Sequence, residues 1–301
     1  MLNLSEEQIR PLLTYEALIP AMEQCLVRFS EDKIHQPVRS IVPVAEHHGL
    51  FGLMPAVDGD VMGIKLVTVY ENNGRLGLPT HQAVIQLFSA KTGEPLAVMD
   101  GRLITEMRTA AVSAVATKLL AKKDAQVLTI LGTGVQAKAH LRALPLVRKF
   151  EEIRIWGRTP AHAQQLAAEF GVHAVADLEQ AVRGADVVVS VANVSEPLVR
   201  GEWLGADTYV NAVAAVGPKR RELDDAVMDD ATVVVESREA AMRESGDILD
   251  AGASILAELG ELLAGKKSLP AGRRIVYKGL GIGAEDIAAA QLVLETVRTK
   301  Q

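Results

Sequence analysis

The chain has 301 residues, 49% of them apolar, and a formal net charge of −6. This length allows two domains and a full core, while the acidic balance and the lack of a basic tract with aromatic residues exclude a typical nucleic-acid partner. The single cysteine, Cys25, cannot form an internal disulfide, no apolar run approaches the roughly 20 residues of a membrane span, and the first residues do not form a signal peptide. We therefore expect a cytoplasmic protein without membrane contact.

The first third of the chain predicts an α+β domain with a mostly antiparallel sheet. Residues 5–30 have helical spacing with Ser5 as N-cap, and β-rich runs separated by turn residues then extend to residue 100, with a hairpin turn at Thr92-Gly93. Residues 104–123 have the strongest helical pattern, for which Thr105 is the expected N-cap.

Strands and helices alternate in the next part of the chain. Strands are predicted at 126–131, 152–156, 172–175, 186–191, 208–213 and 232–235, and helices at 135–149, 160–170, 177–183, 222–229 and 238–245. This alternation implies right-handed crossovers and a parallel sheet. The stretch AEDIAAAQLVLETVRTK predicts a final helix, capped by an acidic residue near its start.

The stretch LGTGVQAKAH, residues 131–140, follows a buried strand and opens a helix. Gly132 suits the tight turn, Gly134 lets the backbone approach a pyrophosphate, and Ala137 lets the helix lie close to the strand. Free N–H groups at a helix start favour phosphate binding. The context predicts a dinucleotide site rather than a strand-to-helix connection that binds nothing.

The end of the following strand bears on cofactor choice. NAD-binding proteins usually place a carboxylate there for the ribose 2′-hydroxyl, but here the sequence is IRIWGRTP, with Gly157 followed by Arg158 and Thr159. An arginine can bind a 2′-phosphate through charge-assisted hydrogen bonds. NADPH is therefore favoured and NADH is a weaker possibility; the alternative is that Arg158 is only a solvated loop charge.

Together these motifs resemble the ornithine cyclodeaminase/μ-crystallin family, most closely its μ-crystallin (ketimine reductase) branch. The stretches that carry the resemblance run in order along nearly the whole chain: QPVRSIVPV, IKLVTVY, LPTHQAVIQLF, LAVMDGRLITEMRTAAVSAVATKLL, LGTGVQAKAH, RIWGRT, GEWLGAD, RELDD, EAAMRESGDI and AELGE. The resemblance implies an α/β protein in two domains. A substrate and dimerisation domain, residues 1–115 completed by 285–301, would accompany a Rossmann domain, residues 116–284, in a homodimer built through the N-terminal sheet.

The resemblance also implies roles for particular residues. Arg39 and Arg108 match arginines that hold a substrate carboxylate, Lys65 matches a lysine beside the reacting nitrogen, and Gly281 lies in a loop near the nicotinamide. The residues expected to bind the cofactor are Gly132, Gly134, Val135, Gln136, Arg158, Thr159, Val191, Asn193 and Val213.

Several of these residues also have simpler interpretations. A strand lysine such as Lys65 is, by itself, more often solvated, and Arg108, poorly placed for the helix dipole, could pair with Glu106. His81 either lines the substrate pocket or makes a structural hydrogen bond. We expect no metal site, because the only suggestive stretch, EHH, lacks a supporting cluster.

One departure from the family pattern concerns the reaction. Where cyclodeaminases and alanine dehydrogenases of this family carry an aspartate that acts on the substrate amine, this chain has Val216, and Ala214 replaces a usual glycine. The expected function is therefore NADPH-dependent reduction of cyclic ketimine carboxylates such as 1-pyrroline-2-carboxylate or 1-piperideine-2-carboxylate. The alternatives are an amino-acid dehydrogenase, an ornithine cyclodeaminase, or a non-catalytic NADPH- or ligand-binding protein.

Overall fold

The computed structural model describes residues 1–229, 231–270 and 272–300. The strands are β1 (Leu2–Leu4), β2 (Ile34–His35), β3 (Ser40–Val44), β4 (Gly49–Asp58), β5 (Val61–Tyr70), β6 (His81–Ser89), β7 (Pro95–Asp100), β8 (Val127–Leu131), β9 (Glu152–Trp156), β10 (His173–Ala174), β11 (Val187–Ser190), β12 (Tyr209–Ala212), β13 (Ala231–Val235), β14 (Ile255–Glu258) and β15 (Arg274–Lys278). The helices are α1 (Glu6–Ile9), α2 (Tyr15–Ser30), α3 (Gly101–Leu120), α4 (Val135–Ala143), α5 (Pro160–Phe170), α6 (Leu178–Val182), α7 (Asp225–Asp229), α8 (Arg238–Glu244), α9 (Gly246–Ala251), α10 (Leu259–Leu263) and α11 (Gly283–Thr299). Short 3₁₀-helices occupy Ala45–His47, Glu71–Leu76, Leu144–Leu146 and Gly201–Trp203.

The chain forms two compact units. The first consists of Met1–Arg108 and Ile282–Gln301, and the second of Thr109–Gly281. The expected boundaries after residues 115 and 284 therefore differ from the observed ones by a few residues. The first boundary falls inside α3, where the sequence continues as one apolar helix and carries no turn residues that would mark it.

The sheet of the first unit is largely antiparallel, as predicted. Its order is β1-β7-β6-β5-β4-β2, with β3 paired to β4 outside this path, and among its described strands only β1 and β7 pair in parallel. The predicted hairpin joins β6 to β7, and Gly93 adopts a φ of +74° in its turn.

One face of this sheet is covered by α11, which also packs against α2. Two glycines allow the close approach. A Cβ on Gly63 would lie 2.7 Å from Ile287 Cδ1, and one on Gly283 would lie 3.0 Å from the Met54 carbonyl oxygen. Because side chains alternate along a strand, Lys65 shares the covered face of β5 with Gly63.

The start of α3 corrects the sequence prediction. The helix begins at Gly101 rather than at residue 104, and the Asp100 side chain accepts a hydrogen bond from the Arg102 N–H at 2.9 Å. Asp100 thus satisfies one of the free N–H groups of the first turn. Thr105 is a buried residue one turn inside the helix and not its N-cap.

The second unit contains an eight-stranded parallel sheet in the order β10-β9-β8-β11-β12-β15-β13-β14. The chain moves outward from β8 to β10 and then returns to the other side of β8 with β11. Such a reversal leaves a crevice at the carboxyl ends of the central strands, which is where doubly wound sheets bind ligands. The predicted α/β fold class is confirmed by this sheet and its helices. The strands β14 and β15 were not predicted from the sequence.

Candidate active site

Lys65 is buried in the first unit. Its side chain is 2% exposed, and Nζ lies 2.5 Å from Oδ2 of Asp286 in the first turn of α11. The alternative of a solvated strand lysine is therefore wrong. A buried ammonium needs a charged partner, and here the helix that covers the sheet supplies one.

Arg108 reaches the same carboxylate from α3. Its Nε donates to Asp286 Oδ1 at 2.9 Å, and its Nη1 donates to Glu285 Oε2 at 2.8 Å. Both acids are fully buried. One carboxylate, Asp286, thus binds the two basic side chains to which the sequence analysis assigned substrate roles. From the sequence, the acids were expected only to cap the helix, and neither contact was predicted.

The cluster alters the acidity of its members. Burial lowers the pKa of Lys65 to about 8, with further lowering by Arg108 and Arg39, although the Asp286 carboxylate opposes the shift. Burial alone would raise the pKa of Asp286, but Arg108 and Lys65 outweigh burial and hold it below its ordinary value. At neutral pH the cluster therefore contains an ammonium close to its titration range and an ionised carboxylate.

Two further predicted residues lie within the electrostatic influence of the cluster. His81 begins β6, and burial together with the charges of Lys65 and Arg108 lowers its pKa to about 4, so its ring is neutral at pH 7. Arg39 is half-buried just before β3 and helps to lower the pKa of Lys65. The first unit thus brings together the four residues Arg39, Lys65, His81 and Arg108.

The glycine turn of the second unit has the geometry of a phosphate cradle. Gly132 has a φ of +138°, and a Cβ there would lie 3.0 Å from the Val191 carbonyl group, so a side chain would be strained and crowded. Gly134 is the N-cap of α4, and the space where its Cβ would stand is open to 4 Å. Ala137, in the first turn of α4, is fully buried. These features fit a dinucleotide whose pyrophosphate approaches the backbone at the start of α4.

The end of β9 offers a positive charge and no acid. Gly157 packs against the turn, since a Cβ there would lie 2.5 Å from Thr133 Cγ2. Arg158 and Thr159 follow at exposed positions, and Thr159 precedes the first residue of α5. Within the described part of the chain, Arg158 makes no hydrogen bond or ion pair, and its guanidinium is accessible at the strand end.

The remaining predicted residues lie at the ends of neighbouring strands in the second unit. Val191 and Asn193 follow β11, where the Asn193 side chain accepts a hydrogen bond from Arg220, and Val213 follows β12. Gly281 follows β15, with its N–H 3.2 Å from Glu236 Oε1. Parallel strands bring all of these ends to one edge of the sheet. Gly281, expected in a loop near the nicotinamide, thus lies in the same unit as the glycine turn.

A second buried charge cluster, missed by the sequence analysis, fixes the loop after β12. Glu222 accepts the N–H groups of Ala214 and Ala215, both at 3.1 Å, and its Oε1 lies 2.5 Å from Lys278 Nζ. Asp247 lies 3.0 Å from the same Nζ. The loop that carries Val216 is thus held by two carboxylates and a lysine, all three fully buried.

Fold and site together define a two-unit α/β protein with a dinucleotide-binding sheet and a separate buried lysine–aspartate–arginine cluster. None of its described helices has the length and hydropathy needed to cross a membrane. The model of the ornithine cyclodeaminase/mu-crystallin family matches residues 2–301, and the chain belongs to this family.

Individual relatives are similar along nearly their full length. The ketimine reductase mu-crystallin of Mus musculus is 44% identical in an alignment 301 residues long, which covers 97% of this chain and 96% of the relative. The structure of Thermococcus litoralis Delta(1)-pyrroline-2-carboxylate reductase in complex with NADH and L-proline has a TM-score of 0.95 and 33% identity, covering 100% of this chain and 98% of that one. An archaeal alanine dehydrogenase dimer with bound NAD has a TM-score of 0.94 and 29% identity, covering 100% and 97%.

Proposed function

We propose that this protein is a nicotinamide-dinucleotide-dependent reductase of cyclic ketimine carboxylates. Its substrates would be 1-pyrroline-2-carboxylate or 1-piperideine-2-carboxylate, and its products L-proline or L-pipecolate. The observation that carries the proposal is the buried cluster of Lys65, Asp286 and Arg108, in which an ammonium group lies beside an arginine. The names of the relatives, a ketimine reductase and a pyrroline-2-carboxylate reductase, support it.

Arg39 and Arg108 anchor the substrate carboxylate in this proposal. A planar guanidinium binds a carboxylate through two parallel hydrogen bonds, which fixes the orientation of a small ring better than a lysine would. Glu285 and Asp286, in the first turn of α11, hold the Arg108 side chain in place through ion pairs. The position of the anchor is thus determined by α11.

Lys65 donates the proton that the reaction requires. As the C=N carbon accepts a hydride, the nitrogen must gain a proton to become the ring amine, and Nζ of Lys65 delivers it and is then reprotonated from solvent. A pKa of about 8 suits a general acid at neutral pH, because the group is mostly protonated yet releases its proton readily.

When bound, the reduced dinucleotide supplies the hydride. The residues that would hold it are the turn Gly132–Gln136, Arg158 and Thr159 at the end of β9, and Val191, Asn193 and Val213. The exposed Arg158 favours NADPH over NADH, since it can pair with a 2′-phosphate.

The reductase is favoured over an amino-acid dehydrogenase or a cyclodeaminase. Those reactions start from an ammonium group that a base must deprotonate, and the position where such relatives carry an aspartate is Val216, 37% exposed here. A preformed imine needs a proton donor instead. The cluster around Lys65 also argues against a protein that only stores a ligand, because storage has no use for a buried proton donor.

The test is turnover by wild type and a Lys65→Met variant. NADPH oxidation is measured with each cyclic imine, beside NADP⁺ reduction with L-ornithine, L-alanine and L-proline. We expect imine reduction to fall by at least about 100-fold in Lys65→Met, because general acid catalysis contributes about that much, while the Kd for NADPH stays within a few-fold.

Lys91→Met serves as the control, since Lys91 is exposed and pairs with Asp60 on the surface. It should retain full turnover. Imine reduction that survives in Lys65→Met would contradict the role of Lys65. Turnover of L-ornithine or L-alanine, without imine reduction, would replace the reductase by one of the alternatives.

A homodimer and a cytoplasmic location complete the proposal. The sheet face of the first unit opposite α11 carries apolar residues that are half-buried or exposed, among them Leu53, Leu66 and Val84 in directly paired positions. Such a row suits an interface with a second copy of the chain. The cytoplasmic location stays a prediction from the single cysteine.

A further inference from the structure

Asp286 contacts both of the groups that the proposed reaction needs. Its Oδ2 lies 2.5 Å from Lys65 Nζ, and its Oδ1 accepts the Arg108 Nε–H at 2.9 Å. No part of its side chain is exposed. A carboxylate that binds the proton donor with one oxygen and the substrate anchor with the other sets the distance between them.

We propose that Asp286 is a positioning residue that keeps Lys65 charged and oriented toward the substrate nitrogen and ties the proton donor to the carboxylate anchor. This inference rests on the proposed function. In this inference α11 positions Lys65 and Arg108 in addition to covering the sheet. Its acidic first turn then acts in the reaction as well as in capping the helix.

Asp286 is the carboxylate that offsets the positive charges around Lys65. Arg108 from α3 and Arg39 from the segment before β3 both disfavour the charged form of Lys65. The neutral ring of His81 from β6 adds no compensating negative charge. From α11, Asp286 is the acid in direct contact with Lys65, while Glu285 contacts Arg108 instead. Without the Asp286 carboxylate, burial and the two arginines would lower the pKa of Lys65 further.

The consequence for pH dependence has a definite sign. Reduction needs protonated Lys65, so activity is present below its pKa of about 8 and is lost as the pH rises through that value. Asp286 raises the pKa of Lys65, so removing its charge lowers that pKa. Activity must then disappear at a lower pH than in the wild type.

The experiment compares kcat/KM for 1-pyrroline-2-carboxylate between about pH 5.5 and 9.5 in wild type, Asp286→Asn and Glu285→Gln. Because all three proteins receive the same substrate, its own protonation cancels from the comparison. In Asp286→Asn we expect the alkaline limb to move down by at least about 1 pH unit. Glu285→Gln is the matched control from the neighbouring residue, and it should raise KM for the imine with the limb unmoved.

Asp286→Glu keeps the charge but lengthens the side chain by one methylene, which covers the case in which Asp286→Asn does not fold. Its limb should stay near that of the wild type while kcat falls at least about 10-fold, because the donor is displaced. An unmoved limb in Asp286→Asn, or full kcat in Asp286→Glu, would overturn the inference alone. A wild type that reduces neither cyclic imine would overturn the proposed function and the inference with it.

Discussion

Arg158 occupies the position where the dinucleotide-binding unit would distinguish the two nicotinamide cofactors. It is exposed after β9, and the preceding Gly157 packs against Thr133, where a larger side chain would collide. The glycine therefore has a packing reason to be there, and an acidic side chain at that position would not fit beside Thr133. In the proposed preference for NADPH, packing at Gly157 would thus act together with the charge of Arg158.

We expect Arg158→Ala to weaken NADPH binding by about 10-fold to 100-fold and NADH binding by less than about 3-fold, as measured by Kd. A hydrogen bond to a charged group contributes about 1.5–3 kcal/mol, and only NADPH offers the 2′-phosphate. Arg243→Ala, which removes an exposed arginine paired with Glu239 within α8, is the control and should leave both constants unchanged. Equal losses for the two cofactors would refute the assignment.

The basic residues of the site could be predicted from the sequence, but the acids that hold them could not. Lys65 and Arg108 stand in stretches that resemble a known family, whereas Asp286 lies 178 residues beyond Arg108. Carboxylates in the first turn of a helix are common because they interact favourably with the helix dipole. The pattern of α11 thus already had a local explanation, and only the fold shows that the two acids point into the sheet.

Individual elements were predictable to different degrees. The strand β9 and the helix α5 have the bounds that the sequence predicted, because turn residues or a helix-starting proline flank them. The strands β14 and β15 were missed. β14 has only four residues, and β15 begins and ends with a basic residue, Arg274 and Lys278, whose burial depends on partners distant in the sequence.

Lys278 anchors β15 to the loop after β12, and its loss should be costly. It is fully buried between Glu222 and Asp247, and Lys278→Met would leave two carboxylates without their cation. We expect the free energy of unfolding to fall by about 3–5 kcal/mol, measured by denaturant titration. Lys122→Met removes an exposed pair with Asp207 in the same unit and should change it by less than about 1 kcal/mol. Similar small losses in both variants would show that the buried cluster stabilises little.

The fold class could be derived at the scale of the whole molecule, whereas the unit boundaries could be placed only to within a few residues. Alternating strands and helices specify a parallel sheet because each crossover must bury its helix against the strands. A boundary inside α3 leaves no such mark, since one continuous helix contributes to both units. The proposed homodimer would depend on a different feature, the face of the first sheet opposite α11.

That face leads to a prediction about oligomeric state. Leu66 is paired directly with Leu53 on one side and Val84 on the other, and Val84 is 45% exposed. In a homodimer built through this face, Val84→Lys would bury an unpaired charge, which costs several kcal/mol, so we expect the dimer dissociation constant to rise at least about 100-fold in sedimentation equilibrium. Met242→Lys places the same charge at an apolar residue of α8 that is 51% exposed, and this control should remain dimeric. A monomeric wild type would exclude this face as the interface. A Val84→Lys variant that dimerises as tightly as the wild type would also exclude it, because a lysine that stays in solvent loses none of its hydration.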